Sequence, residues 1–248
     1  MTEPTPATTV LGVRVDCVNK QELIDRALSW AETGKRRRIF YVNAHCLNMI
    51  YQHNSDVYLF NQSDLVYADG IGVVWAARLN RGCSLTKITG REWIIDFCQA
   101  ANQKNLSIYI LAGKPGIALK ASQFLKQSIT GIKIAGTADG FFLEKTEDQV
   151  LAEIQASSPD VLFVGMGTPV QERWIAAVQA KLPVNLFWSV GALFDYVAGV
   201  EPQVPGWLEK YALEWFWRML IDPLGKWKRY IIGNPLFVLR VARERLAR

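Results

Sequence analysis

Seven short runs of apolar and β-branched residues recur along this chain, with stretches of helical periodicity between them. The runs are VLGVRV (10–15), RIFYVN (38–43), DLVYA (64–68), LSIYILA (106–112), IKIAGT (132–137), DVLFVGM (160–166) and VNLFWSV (184–190). A strand wet on one side alternates polar with apolar residues, whereas a run that is apolar throughout needs cover on both faces. The intervening stretches supply that cover. KQELIDRALSWAE, REWIIDFCQAANQ, PGIALKASQFLKQS and QERWIAAVQAKL each gather apolar residues on one helical face, and Asn19 ahead of the first is a good N-cap. The pattern predicts an α/β fold, a Rossmann-like and mostly parallel sheet with helices on both faces. Ligands of such sheets sit at the carboxyl ends of the strands.

The chain has 248 residues, half of them hydrophobic, which is enough for a real core and excludes a disordered class. Charge is unevenly spread. Residues 207–248 hold nine basic and four acidic side chains, while residues 1–206 hold nineteen of each, so the whole net charge of +5 lies in the tail. Four of the nine tryptophans (Trp207, Trp215, Trp217 and Trp227) lie there too, interleaved with Lys and Arg. Aromatics beside bases on amphipathic helices suit the lipid headgroup region. Nucleic acid also recruits bases and rings, but the rest of the tail is aliphatic, so no nucleic-acid partner is expected. A helical pair packing its aromatics on the core is the other reading. We therefore divide the chain into an α/β catalytic domain, 1–206, and a basic, aromatic, helical and membrane-associating appendage, 207–248.

Cys17, Cys46, Cys83 and Cys98 show neither C-x-x-C nor metal-ligand spacing, and His45 and His53 do not complete a cluster. They read as reduced core thiols of a cytoplasmic protein. The segment MTEPTPATT lacks the features of a secretory signal, and no segment offers ~18 uninterrupted apolar residues. The expected location is the cytoplasm, peripheral on the inner face of the cell membrane.

Several strand ends carry polar or glycine-rich signals. In VYADGIGVVW (66–75) a carboxylate, Asp69, stands between two apolar runs, with Gly70 behind it to turn the chain into a helix. A buried, unpaired carboxylate would cost several kcal/mol, so Asp69 needs a task or a partner. It could serve as the helix N-cap or as a proton acceptor. LAGKPG (111–116) offers Gly113, Lys114 and Pro115 where a helix start could hold a phosphate, although a plain βα turn would look the same. GMGTPVQERW (165–174) is similar, with Gly167, Pro169, Gln171 and Glu172; taken alone, Glu172 reads as a cap or dipole residue. SVGALFDYVAG (189–199) adds Gly191 and Asp195, and Asn43 with His45 finishes RIFYVNAH.

YADGIGVVWAARL, Thr89-Gly90, LAGKPG, the DGFF of 139–142, GMGTPVQE, VGALFDYVAG, and LEWFWRML with Pro223 and Arg229-Tyr230 follow one another in the order of the blocks of the WecG/TagA/CpsF glycosyltransferase family, which the chain resembles from about residue 10 to about residue 235. The resemblance implies transfer of a sugar from a UDP-sugar to a saccharide on undecaprenyl diphosphate, with inversion, in bacterial surface-polysaccharide synthesis. It also implies no D-x-D metal site, and none occurs here; no cofactor is expected. Carried over, the catalytic base is Asp69, while Asn43 and Gln171 line the pocket. The chain departs from the family at His45, where Glu is common, at Tyr41 for Thr, at Lys87 for Arg, and at Gln203-Val204-Pro205, which lacks the Arg of R-A-P. These changes bear on which sugar is moved rather than on the reaction.

An inverting transfer needs one carboxylate to accept the attacking hydroxyl's proton, and donors to stabilise the leaving diphosphate. Helix starts after Gly113 and Gly167 and the tail bases Arg218, Lys226, Lys228 and Arg229 are the candidates, the alternative for those four being a membrane-facing patch. If Asp69 is only a cap, the base is to be sought among His45, Glu172 and Asp195. The expected partners are a UDP-sugar, a lipid-linked sugar acceptor and the membrane surface, with self-association into a homo-oligomer left open. Two other classes fit less of the chain. A nucleotide-binding oxidoreductase would want the third glycine of G-x-G-x-x-G, which GMGTPV lacks. A non-enzymatic membrane-associated binding protein would leave the furnished strand ends without a use.

Overall fold

Six of the seven apolar runs form one parallel sheet. The structure, a computed structural model, describes residues 5–80, 83–202, 204, 206, 208 and 214–246, the side chains at 214, 218 and 224 excepted. Gln203, Pro205, Trp207 and the side chain of Arg218, all singled out above, lie outside the described residues. The strands are β1 (Ala7–Val10), β2 (Val13–Asp16), β3 (Arg37–Val42), β4 (Leu65–Ala68), β5 (Ser107–Ala112), β6 (Lys133–Ala138), β7 (Val161–Gly165) and β8 (Leu186–Ser189). Sheet order is β4-β3-β8-β7-β5-β6, parallel throughout.

The first run behaves differently. Read as one strand over 10–15, it breaks at Leu11 and Gly12, whose φ angles of 51° and 83° make a two-residue hairpin turn between antiparallel β1 and β2. Both arms are apolar, so periodicity alone does not reveal the turn. The hairpin packs beside β4, where the Asp16 carboxylate accepts from the Val66 N–H at 2.7 Å and satisfies part of the sheet's edge.

Helices cover both faces. On one lie α1 (Lys20–Thr33), α5 (Gly90–Gln103), α6 (Ile117–Ser128) and α9 (Leu193–Val197). Asn19 caps α1 as expected, and Glu22 closes a capping box with it. Trp93 of α5 stacks on Trp188 of β8 with ring centroids 3.9 Å apart. The other face carries the hairpin with α2 (Ala44–Ile50), α3 (Asn54–Asn61), α4 (Ile71–Leu79), α7 (Glu147–Ser157) and α8 (Val170–Val178).

The C-terminal appendage is helical: α10 (Glu214–Ile221), α11 (Pro223–Trp227), one π-helical turn over Lys228–Ile232, and α12 (Gly233–Leu246). Phe237 and Val241 of α12 enter the same apolar layer as the hairpin and α4. Polar contacts fasten the helix at both sides. Arg240 donates to the Asn48 carbonyl (2.9 Å) and Oδ1 (3.0 Å) and lies over the Tyr51 ring, while Asn48 Nδ2 donates to the Gly233 carbonyl at 2.6 Å. Glu244 accepts from the Leu11 N–H at 3.0 Å and from Asn80 at 3.3 Å. Among the described residues no helix is long and apolar enough to cross a membrane.

The cysteines divide into two kinds, which corrects their reading as four reduced thiols. Cys17, just after β2, and Cys83, in the segment after α4, are joined in a disulfide with Cα atoms 6.4 Å apart. They are 66 residues apart in sequence, and only the hairpin's position against α4 brings them together. Cys46 and Cys98 are buried thiols, pushed up to about 11 and about 12 by burial.

Candidate active site

At the carboxyl ends of β3 and β4 a cleft of about 730 Å³ opens between the α/β body and the appendage. β4 is buried along its whole length, so its last residue delivers the next side chain, Asp69, to the sheet's edge. The Asp69 N–H still bonds to the Val42 carbonyl at 2.8 Å, which fixes the backbone of the half-buried carboxylate. Gly70 then turns the chain with φ 127°, a conformation that L side chains rarely adopt, and occupies the N-cap of α4. The cap and the acid are therefore separate residues. Asn43, at the end of β3, caps α2 by accepting from the Cys46 N–H at 3.0 Å and donates through Nδ2 to Asp69 Oδ2 at 3.2 Å. One amide thus ties two strand ends together and orients the carboxylate.

Around this pair the cleft gathers His45, Lys87, Thr89 and Arg229. The Ile88 N–H bonds to the Ala68 carbonyl at 2.9 Å, which holds the Lys87 segment against the end of β4. Burial, with the Arg229 guanidinium beside it, pushes the His45 imidazole down to about 4, so it is neutral at neutral pH. Arg229 and Tyr230 belong to the π-helical turn, a form that recurs at functional sites. Away from these groups the lining is mostly apolar. Trp75 of α4 and Val238 of α12 both belong to it and remain 58% and 63% exposed. An oily trench leads from a carboxylate flanked by cations.

The other described site residues read from the sequence stand apart from this lining, at the ends of β5, β7 and β8 or, for Lys226 and Lys228, elsewhere in the appendage. Gly113, Gly167 and Gly191 do not offer their own N–H groups to a ligand: Gly113 donates to the Gly165 carbonyl at 3.1 Å, and Gly167 and Gly191 both donate to Gln171 Oε1, at 3.2 and 3.0 Å. Pro115 precedes α6 rather than entering its first turn, because Gly116 takes the N-cap. Pro169 stands at the N-cap of α8. Gln171 and Glu172, the next turn, are fully buried rather than pointing into the cleft. Lys114, Asp195, Glu201 and Lys226 form a mixed-charge group: burial and Glu201 raise the Asp195 carboxyl, and the two lysines oppose them. Lys226 is paired with both Glu201 oxygens at 3.1 Å, and Lys228 lies over the Trp227 ring. Of the four tail bases, Arg229 is the one that lines the cleft among the described side chains.

Sequence reasoning missed Trp215, Asn234 and Arg245, which complete the cleft from the appendage, and Glu201. The tail aromatics signalled a surface, but nothing in their spacing tied them to a site on β4. The Asp139 carboxylate of DGFF proves structural: it accepts from the N–H groups of Phe141, Leu143 and Glu144, which together hold its carboxyl below the usual range. Among the described residues no group of three His, Cys, Asp or Glu could hold a metal ion.

The model of the glycosyl transferase WecG/TagA/CpsF family matches residues 8–248. An N-acetylglucosaminyldiphosphoundecaprenol N-acetyl-beta-D-mannosaminyltransferase of Bacillus subtilis is 30% identical over 186 residues, which is 75% of this chain and 71% of the relative. Proteins of the same name from two Staphylococcus aureus strains, MRSA252 and NCTC 8325, are 26% identical over 242 residues, 95% of this chain and 92% of theirs.

Proposed function

The chain belongs to the WecG/TagA/CpsF glycosyltransferase family, and from that premise we propose that it moves an N-acetylmannosaminyl group from a UDP-linked donor to N-acetylglucosamine carried on undecaprenyl diphosphate, with inversion, in surface-polysaccharide synthesis. The observation that carries this reading is Asp69, bonded by Asn43 at the head of an apolar trench. A polyprenyl diphosphate is a long apolar chain behind a doubly anionic head. The apolar lining, Trp75 and Val238 among it, suits the chain, and Arg229 with Lys87 suits the head.

The Asp69 carboxylate accepts the proton of the acceptor hydroxyl as that oxygen bonds to the anomeric carbon. The bond from that carbon to the diphosphate breaks, and UDP leaves with the electron pair from the opposite face. An α-linked nucleotide sugar then yields a β-linked product, the configuration in the relatives' name. The donor lies along the ends of β5, β7 and β8, within reach of Lys114 and of the loops that Gln171 joins. Cationic side chains stabilise the leaving charge, so transfer is expected to survive chelation of divalent ions; activity abolished by EDTA and restored by magnesium would overturn that part.

The test is incubation of the purified protein with UDP-N-acetylmannosamine and an N-acetylglucosaminyl-diphosphate lipid, following UDP release and the linkage of the product by NMR. A β-linked disaccharide lipid is expected. UDP release that is indifferent to the acceptor, or no transfer across a panel of UDP-sugars, would sink the reading.

A further inference from the structure

Glu172 is a fully buried acid that the transfer step does not use. Its Oε1 accepts from Gln171 Nε2 at 2.7 Å and from Thr168 Oγ1 at 3.3 Å, whereas Oε2 is buried without a close hydrogen bond, the fully buried Ser189 hydroxyl being the other polar group beside the carboxyl. The Gln171 amide in turn has its oxygen on the N–H groups of Gly167 and Gly191, and so clamps the loop after β7 to the loop after β8. Flipped by 180°, that amide would set its NH2 against two N–H donors and its oxygen against the carboxyl group. Glu172 and Thr168, lying on the nitrogen side, fix its sense. The same hydroxyl of Thr168 accepts from the Cys46 thiol at 3.5 Å, one turn from the Asn43 that orients Asp69. The network therefore runs from the glycine loops to the base.

We propose that Glu172 is a positioning residue for the donor: as the neutral acid, acting through Gln171 and Thr168, it holds the two glycine loops in the arrangement that receives the diphosphate of the nucleotide sugar. The proposal rests on the reading of the β7 and β8 ends as the donor site. A proton on Oε2 would let the buried carboxyl donate to the Ser189 hydroxyl oxygen, which otherwise has no partner either, and a structural clamp on the glutamine does not require that proton. Burial raises this one to about 7. The titratable groups that feel its charge are Tyr41 of β3 and Cys46 of α2, both kept protonated by burial, and Tyr41 feels Asp69 as well. A diphosphate arriving at loops braced by a neutral Glu172 meets no repulsion from that group, whereas ionised Glu172 repels it. Bound diphosphate must then raise the carboxyl further, so that affinity is full below the free value and declines as pH climbs above it. Each unit of that upward displacement weakens binding by up to about tenfold at high pH.

Calorimetric titration of the full chain with UDP from pH 6 to 9, in buffers of different ionisation enthalpy, tests this against Glu172→Gln. The ionisation of UDP's own terminal phosphate is common to both proteins and cancels in their ratio. Parent and variant are expected to bind alike at pH 6, the parent falling severalfold behind by pH 9 and taking up a fraction of a proton on binding at pH 8, which the variant does not. A variant weaker by one constant factor at every pH would mean that Glu172 is a structural clamp alone and would overturn the proposal. Should the variant not fold, parent binding without proton uptake at pH 8 overturns it equally. A parent that binds no UDP at any pH removes the donor-site reading itself, and this proposal with it.

Discussion

At Asp69 the cap of a helix and the proposed acceptor of a proton are different residues, since Gly70 holds the N-cap of α4. Asp69→Asn keeps an acceptor toward Asn43 and removes only the basicity. We expect it to melt near the parent temperature, to bind UDP-sugar, and to transfer sugar at least roughly a hundredfold more slowly, because a positioned general base contributes ~10²- to 10⁴-fold. Near-normal turnover in a single-turnover assay would move the base elsewhere. His45 makes a prediction about acid. Its imidazole is held at about 4 against 6.5 in the unfolded chain, so the unfolded state binds the proton first as pH falls. Stability is complete above pH 6.5 and is lost as pH drops toward 4. Thermal melts across that window should show the parent losing more than His45→Gln; parallel curves would clear His45 of the effect. Asp69 was legible in the sequence because a charge that ends an unbroken apolar run has to stand where the strand leaves the core. Glu172 was not, because its burial depends on Thr168 and Gln171 folding over it, and a glutamate in a first helical turn looks alike in solvent and in a core. Cys17 and Cys83 were misread for a related reason: their pairing is a property of how the hairpin meets α4, not of spacing.

Among the elements, α12 carries the largest consequence. The six sheet strands and the helices α1, α4, α5, α6 and α8 followed from apolar runs, helical periodicity and turn chemistry, all of them local signals. The partnership of α12 with α2 and the hairpin is not local. It depends on a buried arginine, Arg240, only 8% exposed, which finds an asparagine and a tyrosine ring rather than a carboxylate. Arg240→Met keeps the apolar stem and gives up the hydrogen bonds and the ring contact, at a cost of about 2 kcal/mol. Hydrogen exchange should then quicken in α12 while β5 and β7 stay protected, and transfer should fall because Arg229 and Tyr230 lose their place. Exchange that quickens evenly through the sheet would mean that α12 is no separable unit.

For the whole molecule the question is which way the oily outer surface faces. Leu220, Ile231 and Ile232 of the appendage are each more than half exposed, among the bases that give the chain its +5 charge. We expect salt-sensitive binding to anionic vesicles, since each base near such a surface contributes about 1 kcal/mol. Serine at those three positions should release the protein in sedimentation without lowering its melting temperature; unchanged sedimentation would exclude the appendage as the anchor. The fastening of α12 has one more effect, on the order of events in folding. Leu11 and Glu244 are 233 residues apart in the chain, and Asn48 and Arg240 are 192 apart. Closing loops of that length is entropically costly and gains nothing until a surface exists to dock on. We therefore expect the wall opposite Asp69 to form only after the hairpin, α2 and α4 that it docks on. A refolding chain can show its full complement of sheet by every spectroscopic measure and still have no trench.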